Sequence, residues 1–205
     1  IRDRLLEGFY TRLNHVFVLE EIGKDEEHNA VIKERRNGQG AEVAGVTVEG
    51  KVAYLSLVQL QAGVTWQKSH YTRPEKWSKD SSVPAEKRIF RTPDWYGYFT
   101  ATYSPVKPLN IALSGTYTGS MIVQHMKGYI PKDMAVTTPD FFDMNLKISY
   151  DFSLYKFITL QLNAGVQNIF NAYQRDFDQG KERDSGYIYG PSMPRSYFAG
   201  AKLMF

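Results

Sequence analysis

Residues 58–67 read Val58-Gln59-Leu60-Gln61-Ala62-Gly63-Val64-Thr65-Trp66-Gln67, with apolar side chains at every even position and mostly polar ones between them. A repeat of two residues is the period of a β-strand that has one apolar and one polar face. The same alternation returns in Leu109–Thr118, Phe142–Tyr150 and Ile158–Val166. The dominant element of this chain is therefore an amphipathic strand.

Four further stretches are predicted to be strands because β-branched and aromatic residues are frequent in them. They are Leu6–Leu19, Val43–Tyr54, Trp95–Tyr103 and Pro194–Phe205. Together with the four alternating stretches they make eight strands, and no segment has a convincing helical period. The predicted fold class is all-β and antiparallel.

Long and short connections take turns along the chain. Long polar segments lie at 21–40, 73–94, 125–140 and 174–192, and tight turns lie at Leu55-Ser56, Ser104–Pro108 and Asp151–Tyr155. Compact soluble domains use mostly short connections, whereas an outer-membrane barrel has short turns at its periplasmic end and long loops outside. The order of connections favours an antiparallel transmembrane β-barrel.

Aromatic residues lie near both ends of the predicted strands. Near the long connections they are Tyr71, Trp77, Trp95, Tyr96, Phe141, Phe142, Phe170 and Tyr173, and near the turns Tyr54, Tyr103, Phe152, Tyr155, Phe157 and Phe205. Two girdles of this kind are expected at the two membrane interfaces. A soluble β-sandwich is a rival interpretation, but its strands usually have only about five or six residues.

Composition excludes several other classes of protein. The 205 residues include no Cys and four His, and the formal charge is +3. Disulfide scaffolds, thiolate zinc sites and cysteine nucleophiles are excluded, and no cofactor or metal is predicted. The basic excess is too small and too mixed to indicate nucleic acid as a partner. The four His are scattered and no catalytic motif accompanies them, so we predict no enzyme.

Four segments match the motifs of a known family in order and spacing. They are Gly40–Glu49, Arg91-Thr92-Pro93 with the strand that closes on Tyr103-Ser104-Pro105, Ala164–Tyr173, and Tyr189–Gly200 running on to Phe205. In this arrangement the chain resembles the TonB-dependent outer-membrane receptors over essentially its whole length. The resemblance is closest to receptors of the vitamin B12, haem and siderophore type.

The resemblance implies a barrel of about 22 strands with a plugged lumen. Residues 1–205 are then the last eight strands of that barrel, a partial transmembrane domain without the plug. The chain starts in mid-pattern at Ile1, with neither an initiator Met nor an apolar signal segment, so we expect a fragment or a processed piece. The family's plug and its TonB-recruiting motif have no counterpart in this sequence.

By the same resemblance the function is import of a scarce nutrient, such as a metal chelate, haem or cobalamin, through the outer membrane of a Gram-negative bacterium. The implied partners are the protein's own N-terminal plug and remaining barrel, the TonB energising complex, outer-membrane lipid and lipopolysaccharide, and a surface lipoprotein. The alternative function is that of a self-contained eight-stranded outer-membrane barrel, an adhesin or structural protein, because eight strands can close.

Ligand contacts are expected in the long loops, where basic and aromatic side chains suit an anionic or flat conjugated ligand. The candidates are Tyr71, Arg73, Trp77, His125, Arg175 and Arg183. Binding of the anionic sugar coat by loop Lys and Arg is an equally weighted interpretation. Tyr197, Leu203 and Phe205 resemble the C-terminal signal that the barrel-assembly machinery reads, and they also suit a lipid-facing strand.

Three other groups have a structural and a functional interpretation. Met121, His125, Met126 and Met134 include ligand types that suit copper or haem iron, although Met also fills gaps beneath loops. The acidic residues Glu20-Glu21 and Asp25-Glu26-Glu27 beside His28 suit a cation, but a solvated loop face is the simpler interpretation. Asn168 and Asn171 are predicted to cap the end of a strand by Asx-type hydrogen bonds.

Overall fold

The computed structural model describes residues 2–28 and 30–205, without the side chains at positions 20, 21 and 24. All regular structure in these residues is β. The strands are β1 (Arg2–Leu13), β2 (Phe17–Asp25), β3 (Ala30–Asn37), β4 (Ala41–Tyr54), β5 (Val58–Glu75), β6 (Glu86–Arg88), β7 (Trp95–Val106), β8 (Leu109–Thr118), β9 (Ile122–His125), β10 (Met134–Thr137), β11 (Phe141–Tyr155), β12 (Ile158–Gln167) and β13 (Ser196–Met204). Within the described residues, no helix is long and apolar enough to cross a membrane.

Eight long strands form one antiparallel sheet in the order β1-β4-β5-β7-β8-β11-β12-β13, and the short β6 pairs with β5. The prediction of an all-β antiparallel fold with eight main strands is confirmed. In the part of the chain that is described, β1 and β13 are the two edges of an open sheet. This arrangement differs from a closed eight-stranded barrel, in which those edges pair, and from a sandwich, in which two sheets pack face to face.

The first predicted strand, Leu6–Leu19, is wrong in its bounds. β1 already ends at Leu13, and the chain enters a separate hairpin in which β2 pairs with β3. Hydrogen bonds from Val16 N to Gln39 O and from Gly38 N to Val16 O close the base of this hairpin. The expected loop at 21–40 is therefore largely strand, the expected loop at 73–94 contains β6, and the expected loop at 125–140 contains β10 and the last residue of β9.

The long sheet has one polar and one apolar face, as the alternation in β5 predicts. On the polar face the hydroxyls of Thr47 and Thr65 lie 2.9 Å apart, and Gln61 Nε2 donates to the Tyr98 hydroxyl at 3.1 Å. On the apolar face Leu60, Val64 and Trp66 are all exposed. An exposed apolar face that spans a whole sheet is the surface that a transmembrane strand presents to lipid.

The alternation of connections is confirmed. The turns 55–57, 107–108 and 156–157 lie at one end of the sheet, and the segments 14–40, 76–94, 119–140 and 168–195 lie at the other. Two turns are shorter than predicted because the strands before them run on. β7 includes Pro105 through a register shift between Tyr103 and Val106, and β11 reaches Tyr155 through a similar shift. Such irregularities are where a sheet tolerates proline.

Of the aromatic residues predicted to form two girdles, those on the apolar face are exposed at both ends of the sheet. Trp66 and Trp95 meet there at a centroid distance of 6.4 Å near the long connections, and Tyr103 and Tyr155 are exposed near the turns. Phe141 is instead buried, on the same face as Asp143, and contacts the Tyr189 ring at 6.0 Å. Position parity along the strand, rather than closeness to a loop, decides which aromatic residue faces outward.

Replacing Gly165 on β12 by a residue with a side chain is expected to destabilise the protein. A Cβ at this position would meet the Leu146 carbonyl oxygen and the Phe198 ring, so Gly165→Ala should lower the free energy of unfolding by about 1–3 kcal/mol. Gly50 is the control, because a Cβ there meets nothing within 4 Å. Thermal denaturation of the purified protein containing each variant measures the difference, and equal midpoints for the two would contradict the crowding at Gly165.

Candidate functional site

Three long connections, 76–94, 119–140 and 168–195, meet above the sheet, and we call them together the loop cap. Ile122, Val123 and Tyr187 are buried at its centre, with Val123 fully enclosed. Hydrogen bonds join each pair of these three segments directly. The loop cap is thus a packed unit with its own small core rather than three separate loops.

Gln174 organises the last segment of the loop cap from within. Its side chain is among the most deeply buried in the described residues, at 1% exposure. The amide nitrogen donates to Tyr187 O at 3.0 Å, and the amide oxygen accepts from Tyr189 N at 2.9 Å. One side chain therefore holds both arms of the 174–191 segment together and satisfies two backbone groups.

His125 joins β9 to this last segment. Its Nε2 lies 3.0 Å from each carboxylate oxygen of Asp178, and its ring stacks on Tyr187 at a centroid distance of 3.7 Å with an angle of 8°. Asp178 also accepts a hydrogen bond from Asp184 N at 2.9 Å, and Asp184 accepts one from Met126 N at 2.8 Å. The two segments are therefore joined by side-chain and backbone contacts in one chain of hydrogen bonds.

The 76–94 segment is attached to both other segments. The Arg91 backbone has φ of 60° and its N donates to Ile122 O. The guanidinium donates to Ile188 O at 2.6 Å and also to Gly186 O. Further along, Ser78 Oγ donates to Asp133 at 2.6 Å, and both residues are buried. Arg91, part of the family-like Arg-Thr-Pro motif, therefore fixes a loop contact.

Two tyrosines of the loop cap share one carboxylate. The hydroxyls of Tyr187 and Tyr189 donate to Asp176 at 2.9 and 2.6 Å. Burial raises the pKa of Asp176, but the hydrogen bonds from Tyr189 and Tyr187 outweigh it and leave that pKa below its ordinary value. Burial and the bond to Asp176 raise the pKa of Tyr187 to about 12 and move the pKa of Tyr189 well above its ordinary value.

These shifts predict that alkali loosens the loop cap. A phenol whose pKa rises on folding contributes stability that is complete below the ordinary value of 10.0 and is lost as the pH rises through about 12. Ultraviolet titration of the protein and of its Tyr187→Phe variant should differ by one phenolate that appears near pH 12. A difference curve centred near the ordinary value would contradict the bond to Asp176.

Asn168 and Asn171 lie where β12 gives way to the last segment, and both have positive φ, 52° and 57°. Asn168 Oδ1 accepts from Ala172 N at 2.8 Å, while its Nδ2 donates to Ala172 O and Met193 O. Asn171 Oδ1 accepts from Arg195 N at 2.9 Å. The predicted local capping bond is confirmed for Asn168, whereas the Asn171 side chain instead joins the start of the last segment to its end, 24 residues further on.

The structure places the six predicted ligand-contact residues in different surroundings. Tyr71 lies on the polar face and lines a cavity of about 220 Å³ with Phe17 of the hairpin and Ile89. Trp77 donates to Pro84 O at 3.1 Å and meets Phe90 edge-on, and His125 is engaged with Asp178. The three arginines Arg73, Arg175 and Arg183 are exposed, and Arg175 lies 5.2 Å from the centre of the Tyr173 ring. Ligand contact by all six residues stays a prediction.

In the group of Met121, His125, Met126 and Met134, the His125 ring faces Asp178, while Met126 and Met134 are exposed. Among the described residues, no set of three or more His, Asp or Glu side chains could hold a metal ion. Asp25 accepts from the His28 ring at 2.8 Å, and this bond holds the pKa of Asp25 below its ordinary value. Asp25, Glu26, Glu27 and His28 form the exposed tip of the β2–β3 hairpin, while the side chains of Glu20 and Glu21 lie outside the described part.

Sequence reasoning missed Gln174, Asp178 and Tyr187, the residues on which the last segment depends. Each is a polar or aromatic residue inside a segment that reads as an ordinary loop. A usable signal was the density of Asp and Tyr between Asp176 and Tyr189, which is unusual for a flexible connection.

The family described as TonB dependent receptor-like, beta-barrel, matches residues 6–169. No curated protein matches the chain.

Three solved structures share the fold. The ferric-catecholate import receptor Fiu from Escherichia coli K12 has 21% identity and a TM-score of 0.57, covering 98% of this chain and 25% of its own. The FrpB iron transporter from Neisseria meningitidis has 13% identity and a TM-score of 0.57, and the match covers 98% of this chain and 28% of the transporter. A mutant of the ferric enterobactin receptor PfeA from Pseudomonas aeruginosa has 16% identity and a TM-score of 0.56, and the match covers 97% of this chain and 28% of the receptor. The chain thus spans about a quarter of the length of each.

Proposed function

Because this chain belongs to the TonB-dependent receptor-like β-barrel family, we propose that it forms part of the wall and outer loops of a receptor that imports an anionic ferric chelate. The receptor lies in the outer membrane of a Gram-negative bacterium. Capture and release of the nutrient need no covalent chemistry, in keeping with a family of receptors and transporters rather than of enzymes.

One observation carries this proposal. A single sheet has an exposed apolar face, a polar face and, at one end, the packed loop cap. The apolar face suits lipid, and the polar face suits a lumen that contains water and a plug. An organised set of loops at one end suits capture of a ligand from outside, because loops held in place lose little entropy when they bind.

The choice of a ferric chelate rests on the loop chemistry and on the names of the similar structures. Arg73 and Arg175 place exposed guanidinium groups at the long-connection end, and Tyr71 offers a ring in the cavity that it lines with Phe17 and Ile89. Guanidinium groups bind anions through charge-assisted hydrogen bonds, and aromatic rings stack on flat ligands. The three similar structures are named as iron or ferric-chelate receptors and transporters. Haem and cobalamin are the alternative substrates.

The proposal includes the partners that such a receptor needs. β1 and β13 pair with the remaining barrel strands, an N-terminal plug fills the lumen, and the TonB complex supplies energy to rearrange the plug. Tyr197 and Leu203 are exposed on the outer side of β13, and Phe205 follows it. This position suits both contact with lipid and recognition by the barrel-assembly machinery. Lipopolysaccharide and a surface lipoprotein are proposed to contact the exposed loops.

The test is uptake of radioactive iron, supplied as a tricatecholate chelate, by cells whose only receptor of this kind is the complete protein containing this chain. The Arg73→Ala/Arg175→Ala double variant should raise the half-saturating concentration about tenfold, because two charge-assisted contacts are lost. Maximal uptake should change little.

Lys107→Ala is the matched control, since Lys107 is a basic residue in the turn between β7 and β8 at the opposite end of the sheet. An equal effect of Lys107→Ala would contradict ligand capture by the loops. Uptake of haem or cobalamin without uptake of the ferric chelate would overturn the substrate but not the receptor function.

A further inference from the structure

We propose that His125 and Asp178 form a latch that holds the last segment of the loop cap to the second, so that the two segments move as one body. The inference rests on the proposed receptor function and concerns the regulation of the same loops. The latch joins β9, in the second segment of the loop cap, to the last segment, which carries Arg175, Lys181 and Arg183. While it is closed, these basic side chains keep fixed positions relative to the other two segments.

The geometry of the pair gives the latch its strength. The Asp178 side chain is only 2% exposed and that of His125 is 10% exposed. The imidazole Nε2 faces both carboxylate oxygens at 3.0 Å, and Asp184 N supplies a further hydrogen bond. A buried carboxylate that loses one of its donors retains its desolvation cost without compensation. Opening the latch is therefore unfavourable unless water reaches Asp178.

The Tyr187 ring couples movement of His125 to movement of the last segment. It lies flat on the imidazole at 3.7 Å, and its hydroxyl is bound to Asp176. Tyr187 O and Tyr189 N are both held by Gln174. Movement of His125 therefore displaces a ring whose backbone and hydroxyl are both anchored, so the whole 174–191 segment has to move with it.

A second set of contacts extends the coupling to the first segment. Arg91 donates to Gly186 O and Ile188 O, on both sides of Tyr187. Gly128, with φ of 150°, lies so close to Glu182 that a Cβ there would meet the Glu182 carbonyl oxygen. Every segment of the loop cap thus touches the residues around Tyr187. Breaking the latch should release Lys181 and Arg183 first, because they lie in the exposed part of the last segment.

The experiment is limited trypsin digestion of intact cells that carry the complete receptor, with mass measurement of the C-terminal fragments. Trypsin cuts after Lys and Arg, so cleavage after Lys181 or Arg183 reports release of the last segment. His125→Ala and Asp178→Asn should each speed this cleavage about tenfold or more, since a hydrogen bond to a buried charge is lost. His15→Ala is the control, because His15 is an exposed histidine outside the loop cap.

Pairwise coupling separates a latch from general destabilisation. The His125→Ala/Asp178→Asn double variant should be cut no faster than the faster single variant, because both changes break one interaction. The latch would be overturned if the increase in cleavage rate of the double variant equalled the product of the two single increases. It would also be overturned if both single variants were cut at the wild-type rate. If His125→Ala does not reach the outer membrane, His125→Phe provides the same comparison with Asp178→Asn, because Phe keeps a ring against Tyr187 but has no nitrogen to bond Asp178.

The outcome for the latch is independent of the substrate, because the digestion uses no ligand. If intact cells protect every variant while the purified receptor in detergent is cut, the loops do not face outward and the proposed function fails. The latch is then tested on the purified receptor, by comparing the cleavage rates of the single and double variants with the rate of the wild type.

Discussion

Replacing Asn168 by alanine should lower the free energy of unfolding by about 2–4 kcal/mol and reduce assembly of the receptor. The side chain is 4% exposed and makes three hydrogen bonds to backbone groups, at Ala172 N, Ala172 O and Met193 O. Each such bond contributes about 1 kcal/mol, and all three bonds are part-buried. Alanine must also adopt the φ of 52° that Asn168 has, a conformation that Asn tolerates better than alanine.

Two further variants separate these causes. Asn168→Gly removes the hydrogen bonds but accepts the positive φ, so it should cost less than alanine. Asn168→Asp keeps an acceptor for Ala172 N and loses the donors to Ala172 O and Met193 O. Asn171→Ala should cost less than Asn168→Ala, because one side-chain bond, to Arg195 N, is lost. Thermal denaturation in detergent provides the ranking, and equal costs at the two positions would contradict the central role of Asn168.

The sheet was predictable because the alternation of apolar and polar residues is a local pattern that each strand repeats. In β5 the alternation from Val58 to Gln67 already tells which side chains face outward, and the structure places Val64 and Trp66 there. The β2–β3 hairpin was not predictable in the same way. It extends beyond the long sheet and exposes both apolar and charged side chains, and a register shift between Glu21 and Gly23 interrupts its period. A segment without one buried face has no alternation to read.

The loop cap shows a second limit of sequence reasoning. Asn168 and Asn171 were predicted as caps because an Asx-type bond is made within a few residues. The partner of His125 is 53 residues away, and those of Arg91 are 95 and 97 residues away. Single-sequence reasoning identifies His125 as chemically interesting but does not identify Asp178 as its partner. The sequence therefore predicts a ligand contact at His125 but not the contact with Asp178 on which the proposed latch rests.

Placing an arginine on the apolar face should be more damaging than placing one on the polar face. Ala62 is exposed on β5, halfway between Val58, which pairs with Tyr103, and Trp66, which pairs with Trp95. If the two aromatic levels mark the membrane interfaces, Ala62 faces the centre of the bilayer. Ala62→Arg should then cost about 2–4 kcal/mol, the range for a cation at the midplane of a barrel wall. The measurement is the folded fraction of the receptor in lipid vesicles over a series of urea concentrations.

Thr100→Arg is the control, because the two positions differ mainly in the face they occupy. Thr100 is exposed on β7 and pairs with Gln61 and Ser114, whereas Ala62 pairs with the neighbouring Phe99. An arginine at position 100 enters a polar surface on which Tyr98 and Gln61 are already hydrogen bonded, so the variant should fold as well as the wild type. Equal tolerance of both arginines would show that the exposed apolar face does not meet lipid. A defect confined to Ala62→Arg would tie the exposure of Leu60, Val64 and Trp66 to the bilayer, since only a surrounding of low polarity distinguishes the two sides of one strand pair.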